Sequence, residues 1–246
     1  MDIRLRNIVL LLVKKHFKPC SVGRKRVDPD LILDELLHIL WSGSPWRALR
    51  SQSVSYQTVH RYFILWRDKS IFKEAYTIAY RLQNRQVRRS KRYQCIDASF
   101  VKNVYGRDCV RRNPTDRGRM ATKLSALVDQ DGLPLSLVFF PANCNDMKTV
   151  KQTLDEKILH TNSQPLYADK GYDSRAVRAT MQQHGYIDRV GKRRTVVHRL
   201  VNRRRNVVER FFSWLDKSRR LIMRYDAHIA SYESWTWLAC LRLLYR

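Results

Sequence analysis

The chain has 246 residues, 44% hydrophobic and 28% charged, which is enough apolar material for one medium domain plus a small one and excludes a disordered chain. Its 48 Lys and Arg against 22 Asp and Glu give a formal charge of +26. An excess of that size repels itself unless the partner is a polyanion, so nucleic acid is the leading candidate; a membrane surface or a ribosome is the lesser one, and a merely basic protein fits poorly.

In chain order, residues 8–13 form an apolar run flanked by Arg4, Arg6, Lys14 and Lys15. The run is too short to span a bilayer and no small-residue cleavage site follows it, so it predicts a short amphipathic helix rather than a signal peptide. Asp28-Pro29-Asp30 supplies an N-cap with Pro at the first helical position, and Leu33, Leu36, Leu37 and Leu40 mark the apolar face of a helix that Trp41-Ser42-Gly43 ends. Ser44-Pro45 opens a second short helix. After Ser53-Val54-Ser55, the residues Val59, Tyr62, Phe63 and Trp66 recur at i, i+3, i+4 and i+7, the spacing of a buried face, and Gln57, Thr58, His60 and Arg61 fall off it. Three short helices with a Gly-containing turn and a basic outer face on the third make a helix-turn-helix-like pattern, whose last helix can enter the major groove. The arginine-rich stretch 81–92 is either a solvated helix end and linker or a phosphate-contacting strip, and it sets a domain boundary near residue 90.

Strand-like runs rich in β-branched and aromatic residues follow at 93–105, 121–128 and 133–140. Asp129-Gln130-Asp131-Gly132 separates the last two as a hairpin turn. Asn145-Asp146 precedes a helix to about residue 159, with Asp146 as its cap. A strand over 167–169, a helix over 173–184 capped by Asp173, a strand near 186–190 and a long helix over about 202–224 complete the pattern. The order β-β-β-α-β-α-β-α predicts a mixed sheet with flanking helices. The five cysteines, Cys20, Cys95, Cys109, Cys144 and Cys240, contain no C-x-x-C and no His at zinc spacing, and the odd number argues for a reducing compartment rather than a disulfide framework.

Within this frame three acids stand out. Leu166-Tyr167-Ala168-Asp169-Lys170-Gly171 is an apolar run that ends on a carboxylate and a Gly, and Cys95-Ile96-Asp97 places a lone Asp inside the first strand. Glu209 sits in a helical pattern in Asn206-Val207-Val208-Glu209-Arg210-Phe211-Phe212. A carboxylate in a central strand is costly to bury without a cation or donor; the plainer alternative is an Asp at a frayed strand end. For Arg205 the plainer alternative is an i, i+4 salt bridge to Glu209. Three carboxylates on two strands and a helix could together hold divalent cations for phosphodiester chemistry.

These motifs resemble the DDE transposases of bacterial insertion sequences, close to the insertion-sequence-five type. The Ile96-Asp97-Ala98-Ser99, Ala168-Asp169-Lys170-Gly171-Tyr172-Asp173 and Arg205-Asn206-Val207-Val208-Glu209-Arg210-Phe211-Phe212 segments carry the likeness, with Thr122-Lys123-Leu124-Ser125 and Arg224-Tyr225-Asp226 as further landmarks. Residues 23–47 and the 58–66 helix resemble the family's N-terminal DNA-binding segment. The resemblance implies a small all-α helix-turn-helix-like domain over residues 1–90. It is followed over 91–246 by an α/β, ribonuclease-H-like mixed sheet with flanking helices. It further implies that Asp97, Asp169 and Glu209 are the catalytic and metal-binding residues, holding two Mg²⁺, or Mn²⁺, for strand cleavage and transfer at the element's ends. Arg47, Gln57, His60, Arg61, Arg193, Arg194, Arg203, Arg204 and Arg205 are the expected DNA contacts. The implied partners are double-stranded DNA and, in the synaptic complex, further copies of the chain; the implied location is the cytoplasm, nucleoid-associated when DNA is bound. Members often carry a Tyr three residues before that Arg and a Lys seven after the Glu. Here those places hold Asn202 and Asp216, with Lys217 one step later, and Asp216 on the Glu209 face would repel DNA. The alternatives are a catalytically impaired, transposase-derived DNA-binding protein and a ribonuclease-H-like DNA nuclease.

Overall fold

The computed structural model describes residues 1–18, 25–49, 54–87, 93–159, 163–191 and 199–244, the side chains of 84–87 and 199–202 excepted. In chain order the elements are α1 (Ile3–His16), α2 (Pro29–Ser42), α3 (Tyr56–Asp68), α4 (Ile71–Val87), β1 (Gln94–Asn103), β2 (Arg111–Arg112), β3 (Met120–Asp129) and β4 (Pro134–Pro141). There follow α5 (Asp146–Asp155), β5 (Gln164–Ala168), α6 (Arg175–Gln183), β6 (Tyr186–Val190), α7 (Arg199–Leu215), the single turn α8 (Arg219–Ile222) and α9 (Ile229–Leu241). They divide into two compact units, Met1–Arg88 with Leu215–Arg246, and Arg89–Trp214. Among the described residues no helix is long and apolar enough to cross a membrane.

The first unit is helical. Asp28 caps α2 by accepting from the Asp30 N–H, Pro29 occupies the first turn, and Gly43 closes the helix in the left-handed conformation, φ +70°, with its N–H donated to the Ile39 carbonyl. A Cβ at Gly43 would stand 3.0 Å from the Arg219 Cβ, so the turn needs glycine for space as well as for φ. Ser55 caps α3, and Val59, Tyr62, Phe63 and Trp66 are buried as the period predicts. Residues 44–49 form one 3₁₀ turn, Trp46–Ala48, instead of the expected second helix.

The centre of this unit is α9. Its run from Ser234 to Leu241 is buried on every side, the property of a helix that lies inside a bundle rather than on its surface. Trp235 stacks on Phe63 with ring centroids 4.3 Å apart, and Trp46 leans on it at 5.6 Å. The buried Arg220 pairs with Asp226 at 2.8 Å and lies over both Trp46 and Trp235. Arg224 donates to the Asp226 and Ala227 carbonyls, so the Arg224-Tyr225-Asp226 segment is a structural corner. Residues 215–246 pack with the first unit, where α3 and α4 lie against α9.

The second unit is built on a mixed sheet in which β1 pairs antiparallel with β3 and parallel with β5, β3 pairs antiparallel with β4, and β5 pairs parallel with β6. The short β2 pairs antiparallel with the start of β3. The resulting order β4-β3-β1-β5-β6, with three antiparallel strands followed by two parallel ones, is the ribonuclease-H-like arrangement expected. The hairpin between β3 and β4 is held by the Asp129 carboxylate, which accepts from the Asp131 and Leu133 N–H groups, and by Gly132 at φ +84°. Two expected caps shift by one residue. Asn145 caps α5, leaving Asp146 to accept from Lys123; Ser174 caps α6, leaving Asp173 to accept from Arg178. The Glu209 helix ends at Leu215, whose carbonyl accepts from the Ser218 N–H, so Asp216 and Lys217 lie past the helix rather than on its Glu209 face.

Replacing Trp235 by Ala removes the ring on which Phe63 and Trp46 pack and should lower stability by about 3–5 kcal/mol. Thermal melting followed by circular dichroism measures this; an unchanged midpoint would show that α9 does not centre the first unit.

Candidate active site

Parallel pairing places the first two acids. Cys95 is opposite Tyr167 across β1 and β5, and Asp97 and Asp169 each lie two residues further, so both carboxylates leave the same face, Asp97 from within β1 and Asp169 just past the end of β5. Asp97 is also opposite Ala126 of β3, and its carboxylate accepts the Ala98 N–H at 2.8 Å. The third acid arrives on α7, whose Val207, Val208 and Phe211 are buried. The Cys95 thiol also donates to the Arg204 carbonyl at 3.3 Å. Burial pushes that thiol up to about 12, so it acts as an anchor and not as a nucleophile.

Arg205, one turn before Glu209, stands among the three acids. Its guanidinium lies 3.1 Å from Asp169 Oδ1, 3.6 Å from Asp97 Oδ2 and 3.9 Å from Glu209 Oε1. The arginine side chain is 15% exposed, whereas Asp97, Asp169 and Glu209 are 22%, 42% and 59% exposed, so the acids open progressively toward solvent. The i, i+4 contact with Glu209 is the longest of the three, which sets aside the simple helix salt bridge. Among the described residues no three His, Cys, Asp or Glu side chains are grouped closely enough to hold a metal ion; the acids are spread around the guanidinium. The donor set itself suits a hard divalent cation, since it offers carboxylate oxygens and neither thiolate nor imidazole.

Three further side chains adjoin the acids, none of them assigned to the site from the sequence. Lys123, buried on β3, binds Asp146 at 2.5 Å and the Cys144 carbonyl, and lies over the Phe100 ring, fixing the start of α5. Asp146 is close enough to Asp97 to raise its pKa. Tyr172 is buried, with its hydroxyl unpartnered among the described residues; burial, and then the charges of Asp97, Asp146 and Asp169, hold its pKa well above the ordinary value. At 1% exposure its ring is packed inside the unit. A lysine inside an apolar strand was the one available signal.

The expected DNA contacts fall into separate groups. Arg47, Gln57 and His60 line one cavity of about 440 Å³ in the first unit, with Trp46 edge-on to His60. Arg61 belongs to a different cavity, of about 750 Å³, beside Lys14, Lys25, Arg26 and Tyr62. Arg203 and Arg204 line a third, of about 450 Å³, with Tyr93, Gln130, Val207 and Arg210. There Arg204 lies over the Tyr93 and Tyr167 rings and donates to the Tyr167 hydroxyl. Arg205 is turned to the carboxylates. Arg193 and Arg194 lie outside the described residues, as do Cys20 and the side chain of Asn202.

A mixed sheet of this strand order, with one acid inside β1, a second just past the end of the neighbouring parallel β5 and a third on α7, defines a ribonuclease-H-like α/β protein. Residues 88–244 match the family described as the transposase DDE domain, and residues 7–76 match the putative transposases of the IS4/5 family. The chain belongs to the DDE transposases, of the IS4/5 type. A putative transposase for insertion sequence element IS402 from Burkholderia cepacia is 33% identical over 144 residues, which is 55% of this chain and 68% of that protein. Two solved structures of lower likeness are the Mos1 transposase paired-end complex with the left transposon end and the Mos1 mariner paired-end complex with Mn. They have TM-scores of 0.32 and 0.30 and identities of 14% and 16%, and cover 99% and 92% of this chain and 95% and 78% of theirs. The family is one of transposases, and neither the impaired protein nor the separate nuclease is favoured.

The surroundings of Asp97 disfavour its charged form. Burial pushes its carboxyl up to about 6; the Ala98 N–H and the Arg205 guanidinium lower it, and the Asp169 and Asp146 charges raise it further. In the unfolded chain the group titrates near 3.8, so between about pH 4 and 6 the folded protein holds a proton that the unfolded one has lost. Stability from this group is therefore lost as pH rises through that window, by up to about 3 kcal/mol. Asp97→Asn should melt several degrees above the wild type at about pH 7.5 in metal-free buffer and level with it near pH 4. Coincident melting curves at both pH values would show that the charged form is not disfavoured.

Proposed function

We propose that this transposase cuts DNA strands at the ends of an insertion sequence and joins them to a target, using Asp97, Asp169 and Glu209 to hold Mg²⁺, with Mn²⁺ as a substitute. The gathering of three acids, from β1, the end of β5 and α7, around the Arg205 guanidinium is the observation that carries this reading. Bound there, the cations supply Lewis-acid charge that makes a water or a 3′-hydroxyl a better nucleophile and stabilises the departing oxygen. In cleavage, a water oxygen bonds to phosphorus as the P–O3′ bond breaks and the leaving oxygen takes a proton. In joining, the freed 3′-hydroxyl attacks a target phosphodiester, whose own P–O3′ bond breaks. The protein supplies position and charge and needs no covalent nucleophile.

The first unit takes the role of recognising the element's ends, with Arg47, Gln57 and His60 on one cavity and Arg61 on another. The second unit takes the catalytic role, with Arg203 and Arg204 meeting phosphates. Arg193 and Arg194 are further phosphate contacts in this reading. The substrate is double-stranded DNA in the bacterial cytoplasm, and bringing two ends together requires more than one copy of the chain.

Strand cleavage and transfer on a duplex carrying the element's ends should fall at least about a hundredfold in Asp97→Ala and Glu209→Ala; wild-type rates in either protein would remove the acid from the site. DNA affinity should decrease steeply between about 50 and 200 mM salt as neutralised phosphates recapture counterions. Fluorescence anisotropy measures it, and a flat response would contradict the electrostatic basis of binding.

A further inference from the structure

The Arg205 guanidinium touches carboxylates from three separate elements, β1, the end of β5 and α7, and both contacts to acids far away in the chain, Asp169 at 3.1 Å and Asp97 at 3.6 Å, are shorter than that to its helix neighbour Glu209 at 3.9 Å. An arginine cannot release its proton, so this charge is permanent. Its Nε is buried and without a hydrogen-bond partner among the described residues, which marks a guanidinium aimed by its charge and not by a saturated hydrogen-bond set. The oxygens it contacts are the ones a metal would need, and among the described residues no metal-ready grouping exists while it is there.

We propose that Arg205 is an internal counter-ion that holds Asp97, Asp169 and Glu209 together in the metal-free protein and must leave them before a divalent cation enters. This rests on the reading that the three carboxylates hold the metal. A divalent ion and a guanidinium repel each other and compete for the same oxygens, so the arginine raises the concentration of metal needed for loading. The released guanidinium needs another anion, and a phosphodiester matches its fork geometry. DNA thereby becomes the agent that frees the site. By linkage the effect is reciprocal: DNA tightens metal binding and metal tightens DNA binding by the same factor. The strongly basic chain meets DNA through its own charge without any metal, so substrate binds first and the reactive site is completed on it.

The test measures Mn²⁺ affinity by isothermal titration calorimetry for the full chain, with and without a duplex oligonucleotide, in wild type, Arg205→Lys and Arg205→Gln, with folding checked by circular dichroism. Without DNA, Arg205→Gln should bind Mn²⁺ at least about tenfold tighter than wild type, and Arg205→Lys, which keeps the charge, should stay near wild type. Adding duplex should tighten Mn²⁺ binding to wild type at least about fivefold and leave Arg205→Gln almost unchanged. Equal or weaker binding by Arg205→Gln without DNA would overturn the proposal. If Arg205→Gln is unfolded alone, Mn²⁺ should fold it, because an exchangeable cation can take the arginine's place; failure to fold at millimolar Mn²⁺ also overturns it. Asp97→Asn and Glu209→Gln separate the underlying reading. If both bind Mn²⁺ as the wild type does, the carboxylates are not the metal site, whatever Arg205 does.

Discussion

Asp97, Asp169 and Glu209 repel one another, and they stay together because a single permanent positive charge sits 3.1–3.9 Å from all three. The rest of the second unit serves that convergence. Parallel pairing of β1 with β5 puts two aspartates side by side, and the Cys95 thiol fastens α7 through the Arg204 carbonyl, so that Arg205 and Glu209 share the face above them. Lys123 does for Asp146 what Arg205 does for the three acids, supplying a buried cation at the edge of the same acidic neighbourhood. The remaining penalty on the charged form shows in Asp97, whose carboxyl burial raises to about 6 even with the guanidinium beside it.

Consecutive arginines on α7 have different fates because each residue advances about 100° around a helix. Arg205 faces the acids. Arg204 turns to a cavity where it lies over two tyrosine rings, at 5.3 and 5.2 Å, positions that hold a guanidinium in place while leaving its charge unneutralised. Arg203 and Arg210 line the same cavity, and no ion pair to a carboxylate is found for the three among the described residues. A run of basic residues that looks uniform in one dimension is thus split by helix geometry into one structural counter-ion and one anion-seeking cluster.

Elements with a strong local signal were legible. Ser55 and the 59, 62, 63, 66 spacing announce α3, Asp129 and Gly132 announce the hairpin, and an apolar run stopping at Asp169 announces β5. Other features lacked a local signal. The helix α9 is apolar all round, so it shows no period to detect, and its place in the first unit depends on rings such as Phe63 and Trp46 far away in the chain. Capping at 145 and 174 turned on which of two adjacent polar side chains reached the helix N–H groups. The end of α7 at Leu215 removed Asp216 from the face on which helical spacing alone would have put it.

The sequence by itself determined a basic DNA-acting chain, the strand and helix order of its α/β unit, and which three acids to watch, because charge, period and apolar runs ending on carboxylates are local properties. Only the tertiary structure decided that these acids surround a guanidinium and that the last helix completes the first unit. Both depend on side chains that meet across long stretches of chain, where pairing register and packing, rather than neighbouring residues, choose the partner.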